Sequence, residues 1–304
     1  MIVSQVKTSY SSFTATISDY LTLMKPWIVL LLLTTTLAAM LVAARGFPPF
    51  SILVITLLGG ALTSGGSNAL NSYIDRDIDP QMGRTARRPI PSGRIAPRRA
   101  LIFGFGSIAS GFGLLFIFVN PLSAFLSLIG AFYYVVIYTL VLKRRTPHNV
   151  VIGGAAGAIP PLVGWAAVTG ELNLLAALMF LVIFAWTPPH TWALMLLVAK
   201  DYAHVNVPMM PVARGEASTR RQIVGYALAL IAVTLLPFFV STLGAFYLIV
   251  ALALGGRFFQ LAMRLMRDGE KSTARKLYIY SNLYLALLFL AMVIDHSALP
   301  FFFS

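Results

Sequence analysis

Three residues with oxygen-bearing side chains recur at four-residue intervals in the segment NALNSYIDRDIDPQMGRTARRPIPSGR, namely Asn71, Asp75 and Asp79. On a helix, side chains four apart stack on one face, so the spacing predicts a single edge of oxygen ligands, with Asp77 off that edge. Pro80 should then stop the helix. The chain has ten acidic residues, and three fall within positions 75–79. Mg²⁺ is a hard cation that takes one or two carboxylates and completes its shell with water and phosphate oxygens. Arg84, Arg87 and Arg88 follow at once, and guanidinium groups donate forked hydrogen bonds to phosphate. The combination predicts a site for a metal-bridged diphosphate. A solvated loop in which aspartate and arginine neutralise one another would use the same residues, but the cluster ends an otherwise apolar helix, which favours the site.

A second polar connection, VAKDYAHVNVPMMPVARGE at 198–216, carries Lys200, Asp201 and Tyr202. Four helices separate it from the first cluster, as a pseudo-repeat facing one cavity would require. A lone aspartate beside a lysine also makes an ordinary local ion pair. Of the four histidines, His148 and His204 fall in polar connections and His296 near the end of the last apolar run. His190 stands inside an apolar run, after Pro188-Pro189 and between Trp186 and Trp192. A polar group within a membrane span is a functional candidate by default, and imidazole is a common haem ligand. It also suits a carbonyl freed by a proline, and both readings stand at this point.

The elements that must position these residues are membrane helices. Hydrophobic residues make up 58% of the 304 positions, charged residues only 11%, and mean hydropathy is +0.82. Soluble domains carry about 25% charged residues, so the bilayer is the solvent that fits. A spanning helix needs about 20 mainly apolar residues. Nine stretches qualify, at about 27–44, 51–74, 100–119, 122–142, 149–169, 173–197, 222–242, 244–263 and 277–294. The long first run predicts an uncleaved helix rather than a signal peptide. The expected organisation is a lead-in over 1–24, a nine-helix domain over 25–296 and a short tail over 297–304.

Charge placement sets the expected topology. Of 23 lysines and arginines, all but Arg45 fall before the first stretch or in or near the long connections that share one face. The positive-inside rule assigns that face to the cytoplasm, with the N-terminus inside and the C-terminus outside. This placement explains the net charge of +13 without nucleic acid as a partner. Cysteine is absent, which excludes disulfides, thiolate metal ligands and a cysteine nucleophile. Glycine is dense in GGALTSGGS and GGAAGAIPPLVGWAA, permitting close helix approach. Pro160-Pro161 and Pro188-Pro189 should kink the fifth and sixth helices.

The NxxxDxxxD arrangement followed by RTARRPIPSGRI resembles the intramembrane UbiA-type prenyltransferase superfamily. TLVLKRRTPHNVVIGGAAGAIPPLVGWAAVTG at 139–170, WTPPHTWAL at 186–194 and KDYAHVNVPMMPV at 200–212 are similar to the branch that farnesylates haem. The resemblance implies an all-α polytopic membrane protein, a nine-helix UbiA-like bundle with a cytoplasmic cap over a central cavity, in the cell membrane. It implies farnesyl diphosphate and haem b as substrates, haem O as product, and a downstream haem A synthase or terminal-oxidase assembly factor as receiver. By position, Asn71, Asp75 and Asp79 would hold Mg²⁺, and Asp201 a second metal or water. Arg84, Arg87, Arg88, Lys143 and Lys200 would contact diphosphate. The wider superfamily has a second aspartate four residues after the first in the later loop. Here that position is Val205, as in the haem branch. The alternatives are an aromatic, quinone-precursor acceptor, a non-enzymatic transporter, or a partner that carries haem without catalysis.

Overall fold

The structure, a computed structural model, describes residues 16–240 and 243–297. Positions 1–15 of the expected lead-in, 241–242 at the end of the seventh stretch and 298–304 of the expected tail lie outside the described residues. Among the described residues, nine helices are long and apolar enough to cross a membrane. They are span 1 (Pro26–Ala44), span 2 (Phe50–Asp77), span 3 (Pro97–Phe118), span 4 (Pro121–Leu142), span 5 (Asn149–Thr169), span 6 (Leu174–Leu197), span 7 (Glu216–Phe239), span 8 (Ala245–Asp268) and span 9 (Lys271–His296). Every expected stretch has its helix. The bundle is all-α, and its outer surface shows large apolar side chains such as Trp27, Ile117, Ile249 and Leu283. In water such a surface would aggregate; in lipid it is a solvated face.

The main core joins side chains of spans 1, 5, 6, 7, 8 and 9. Spans 2 and 3 instead pack backbone to backbone. A Cβ added at Gly66 would lie 2.6 Å from the Gly104 carbonyl, and one at Gly111 would lie 2.6 Å from that of Gly59. Lipid gives helices no hydrophobic reason to associate, so close van der Waals contact of this kind carries the pairing. Span 2, which delivers the acidic cluster, is therefore packed closely against span 3 between Gly59 and Leu70.

Three local departures from plain α-helix bear on function. Span 2 is α-helical only as far as Ile74, where 3₁₀ turns take over at Asp75–Asp77 and Asp79–Gln81. The second half of span 4, Tyr133–Leu142, is a π-helix, a form concentrated at functional sites. Span 5 is interrupted into Asn149–Gly153, Ala155–Ala158 and Pro160–Thr169. Its last break falls before Pro160, where the proline pair lacks the N–H groups needed to continue the ladder. Span 6 keeps its helical assignment through Pro188 and Pro189, so the two proline pairs act differently.

Candidate active site at the charged end of the bundle

Asn71, Asp75 and Asp79 are all buried, at 4%, 1% and 2% exposure. The expected straight helical edge through all three is not what forms. Asn71 sits on the last α turn, Asp75 caps it, and Asp79 follows on a separate 3₁₀ turn. The amide of Asn71 donates to Asp75 Oδ2 at 3.0 Å and to Thr139 Oγ1 at 3.2 Å. Thr85 Oγ1 donates to the Asp79 carbonyl at 2.8 Å, tying down the second turn. Asp77 turns away, as expected, and pairs with Arg144 at 2.6 Å.

Burying two carboxylates is costly unless cations accompany them, and here four do. Lys143 bonds Asp75, with Arg144 at 3.7 Å from the other oxygen of the same carboxylate. Arg88 pairs with Asp79 at 3.0 Å. Lys25 donates to Asn71 Oδ1 at 2.6 Å. It stands just before span 1 with φ of 55°, a left-handed conformation uncommon outside glycine. Burial, together with nearby Arg88 and Lys143, pushes the Lys25 ammonium down to about 7, against the pull of Asp75 and Asp79. Arg88, Lys143 and Arg144 balance Asp79, Asp75 and Asp77, and Lys25 is the further cation that a bound polyanion would hold charged. Asp75 Oδ1 is buried without a hydrogen-bond partner. The two carboxylates, one of them carrying this orphaned oxygen, and the Asn71 carbonyl oxygen are hard donors, and they fit a Mg²⁺ ion that keeps water or phosphate in its remaining positions.

The later connection joins through one arginine. Arg84 lies 3.9 Å from Asp201 and donates to the Tyr202 hydroxyl at 2.6 Å. Burial raises the Tyr202 phenol above its usual range, so it remains a neutral hydroxyl beside this guanidinium. Arg87 and Lys200 are exposed, and among the described residues neither side chain touches the acidic cluster. The structure therefore brings together Asn71, Asp75, Asp79, Arg88 and Lys143, links Arg84 with Asp201, and leaves Arg87 and Lys200 at the surface. Lys25, Arg144, Thr139 and Tyr202 complete the site without having been singled out from sequence as site residues. The signal for Lys25 was its place directly before Pro26 and the first apolar run. Tyr202 stands beside Asp201 and Arg144 beside Lys143; nothing local marks Thr139.

Beneath the charged end lies a cavity of about 330 Å³ formed by spans 1, 2, 4, 5 and 6. Tyr134 and Tyr138 line it, stacked at 5.7 Å between ring centres, and Tyr134 meets Asn68 Oδ1 at 3.3 Å. The rest of the wall is mainly aliphatic, glycine, serine and threonine. An anion-binding mouth over an apolar chamber suits a molecule with a charged head and a hydrocarbon tail.

His190 faces elsewhere. Its ring stacks on Trp186 at 4.0 Å and leans on Tyr278 at 4.9 Å. Ser281 Oγ lies 2.6 Å from Nδ1 and gives its own proton to the Tyr278 carbonyl at 2.6 Å. A hydroxyl has one proton to give, so Nδ1 carries the hydrogen of that bond and Nε2 keeps its lone pair. His190 is not among the residues lining the cavity; it sits between spans 6 and 9.

Residues 32–292 match the model of the UbiA prenyltransferase family. The chain belongs to that family. Among its relatives, the protoheme IX farnesyltransferase of Symbiobacterium thermophilum is 50% identical over 281 residues, covering 92% of this chain and 94% of the relative. That of Roseiflexus castenholzii is 54% identical over 283 residues, covering 92% of this chain and 52% of the relative. The chain thus spans about half the length of several curated relatives that it matches. The UbiA fold is seen directly in solved structures. A digeranylgeranylglyceryl phosphate synthase superposes with a TM-score of 0.77 at 18% identity, covering 93% of this chain and 99% of that one. A UbiA homolog from Archaeoglobus fulgidus, bound to GPP and Mg²⁺, gives 0.65 at 17% identity, covering 90% and 99%.

Proposed function

We propose that the chain transfers the farnesyl group of farnesyl diphosphate to a vinyl group of haem b, with addition of water, giving haem O and diphosphate. The observation that carries this reading is the buried Asn71–Asp75–Asp79 cluster, ringed by Lys25, Arg88, Lys143 and Arg144, above an apolar cavity. Support for haem as acceptor comes from relatives about half identical in sequence that are named protoheme IX farnesyltransferase.

Asn71, Asp75 and Asp79 would hold Mg²⁺, with Asp201 a candidate for a second ion. The metal when bound would supply positive charge beside the diphosphate. Lys25, Lys143, Arg84 and Arg88 then face the polyanion, and moving part of their pairing from carboxylate to phosphate stabilises the charge that develops as diphosphate leaves. The arrangement calls for no covalent nucleophile. Tyr134 and Tyr138 line the cavity beneath, and their π faces suit a cationic allylic carbon. His190 would offer Nε2 to the haem iron from between spans 6 and 9. The charged end faces the cytoplasm in this reading, and the hydrophobic product leaves through the membrane toward a downstream haem-modifying or oxidase-assembly protein.

Mass analysis of products formed by the full chain in detergent with Mg²⁺ tests the proposal. Haem b plus farnesyl diphosphate should give haem O, and 4-hydroxybenzoate should remain unprenylated. The reverse preference would overturn it.

A further inference from the structure

The proposed reaction ends with a water that must reach one carbon in a mostly apolar chamber. Seven serine and threonine side chains line that chamber. Four have committed their protons to backbone carbonyls on their own helices. Thr36 donates to Leu32, Thr63 to Gly59, Ser67 to Thr63 and Thr187 to Ile183, at 2.7 to 3.0 Å. Such back-bonding is the usual fate of a hydroxyl inside a helix. Ser64, Ser127 and Thr191 are the exceptions, since among the described residues their hydroxyls have no protein partner.

Their depth separates the three. A Cβ on Gly153 would lie 2.4 Å from the Tyr138 ring, and one on Gly154 would lie 3.0 Å from Thr187. Tyr138, the Gly153-Gly154 break in span 5 and Thr187 therefore share one layer. Span 4 climbs from Tyr138 to Lys143 in a single π turn, closed by the Lys143 N–H donating to the Tyr138 carbonyl at 2.8 Å. Span 6 runs in the same sense, toward Asp201, and climbs from Thr187 to Thr191 in one α turn. Thr191 and Lys143 thus stand at similar height, and Lys143 bonds Asp75. Ser64 lies a turn below Asn68, and Ser127 lies on span 4 well below Tyr134. Of the uncommitted hydroxyls, Thr191 is the one beside the diphosphate end. The Tyr138 phenol, in the layer just beneath, is likewise without a protein partner.

We infer that Thr191 holds the water that completes the reaction, with Tyr138 as a second hydroxyl to satisfy it. Water stays in an apolar cavity only where it finds two or more polar partners. The inference rests on the proposed haem-farnesylating activity. In that reaction the terminal vinyl carbon bonds to C1 of the prenyl chain as the C1–O bond breaks, its electron pair leaving with diphosphate. The vinyl carbon next to the macrocycle is left cationic. The oxygen of the held water forms a bond there and releases one proton, which passes through the Thr191 hydroxyl toward the departed diphosphate. The competing fate of the same cation is loss of a neighbouring proton, giving an alkene lighter than haem O by one water. Thr191 is thus a positioning residue whose removal changes which product forms.

The experiment compares product masses from haem b, farnesyl diphosphate and Mg²⁺ for the unsubstituted chain and for Thr191→Val, Thr191→Ser and Thr187→Val. Losing one orienting hydrogen bond should raise the alkene-to-haem O ratio roughly five- to tenfold in Thr191→Val. Thr191→Ser keeps the hydroxyl and should restore the original ratio. Thr187→Val removes a hydroxyl already committed to a carbonyl and should not change the ratio. If Thr191→Val fails to fold, Thr191→Ala carries the same expectation with less volume to accommodate. An unchanged ratio in the folded Thr191 variant overturns the inference, as does an equal shift in Thr187→Val. An unsubstituted chain that makes no farnesylated haem overturns the proposed function, and the inference with it, before any variant is compared.

Discussion

Lys25 and Asp75 define opposite halves of one device. Asp75 is a buried carboxylate with one oxygen bonded by Lys143 and the Asn71 amide and the other without a hydrogen bond. Lys25 is a buried ammonium resting on the Asn71 carbonyl oxygen, the atom that would face a metal. Asp75→Asn keeps the shape but removes charge from the proposed metal pocket, so turnover should fall by roughly a hundredfold or more, the order seen when one stabilising group is lost from an active site. Lys25→Met keeps much of the volume and removes one proposed donor to the diphosphate. A hydrogen bond to a charged group contributes about 1.5–3 kcal/mol, so KM for farnesyl diphosphate should rise at least about tenfold. Steady-state rates across Mg²⁺ and farnesyl diphosphate concentrations separate the two effects. Normal Mg²⁺-dependent rates in Asp75→Asn, or an unchanged KM in Lys25→Met, would remove that residue from the site.

The acidic ligands were legible because carboxylates are rare in this chain and their four-residue spacing is local. Lys25 and Arg144 were not, because their partners lie 46 and 67 positions away in the chain and only the bundle brings them together. Arg87 shows the converse limit. It shares a short segment with Arg84 and Arg88, yet the turns after Asp79 leave it exposed. Proximity in sequence to a site is no guarantee of facing it once the helix has ended.

At the scale of elements, hydropathy and charge located all nine spans, but not their local geometry. The π-helix of span 4 and the 3₁₀ turns after Ile74 depend on contacts such as Asn71 with Thr139, which no periodicity carries. The opposite end of the bundle holds another contact of this kind. Asp295, buried on span 9, accepts from the backbone N–H of Gly244 and, at 3.1 Å, from that of Tyr247. A side chain from one helix thereby caps the start of span 8, whose first N–H groups have no partner within their own helix. Asp295→Ala should cost about 1–2 kcal/mol and lower the thermal midpoint in detergent. Haem O formation per folded molecule should stay near that of the unsubstituted chain, because the contact lies at the far end from the diphosphate site. An unchanged midpoint would show that the cap contributes nothing to stability.

For the whole molecule, orientation decides which compartment supplies the diphosphate. Farnesyl diphosphate, the donor in the proposed reaction, is a polyanion that cannot cross the hydrocarbon, so its site would have to open where it is made. The connections that share the site's end carry nearly all the lysine and arginine, and by the positive-inside rule the acidic cluster would lie on the cytoplasmic side. The chain contains no cysteine, so a single introduced thiol reports its own position without background. Arg145→Cys lies just beyond span 4 at the charged end, and Glu171→Cys lies in the short connection between spans 5 and 6; both positions are exposed. In intact cells a membrane-impermeant maleimide should label Glu171→Cys at once, and Arg145→Cys only after the membrane is opened. The opposite pattern would turn the bundle over and place the diphosphate site outside. Labelling of both in intact cells would mean that the two connections do not lie on opposite sides, contradicting the crossing of the membrane by span 5.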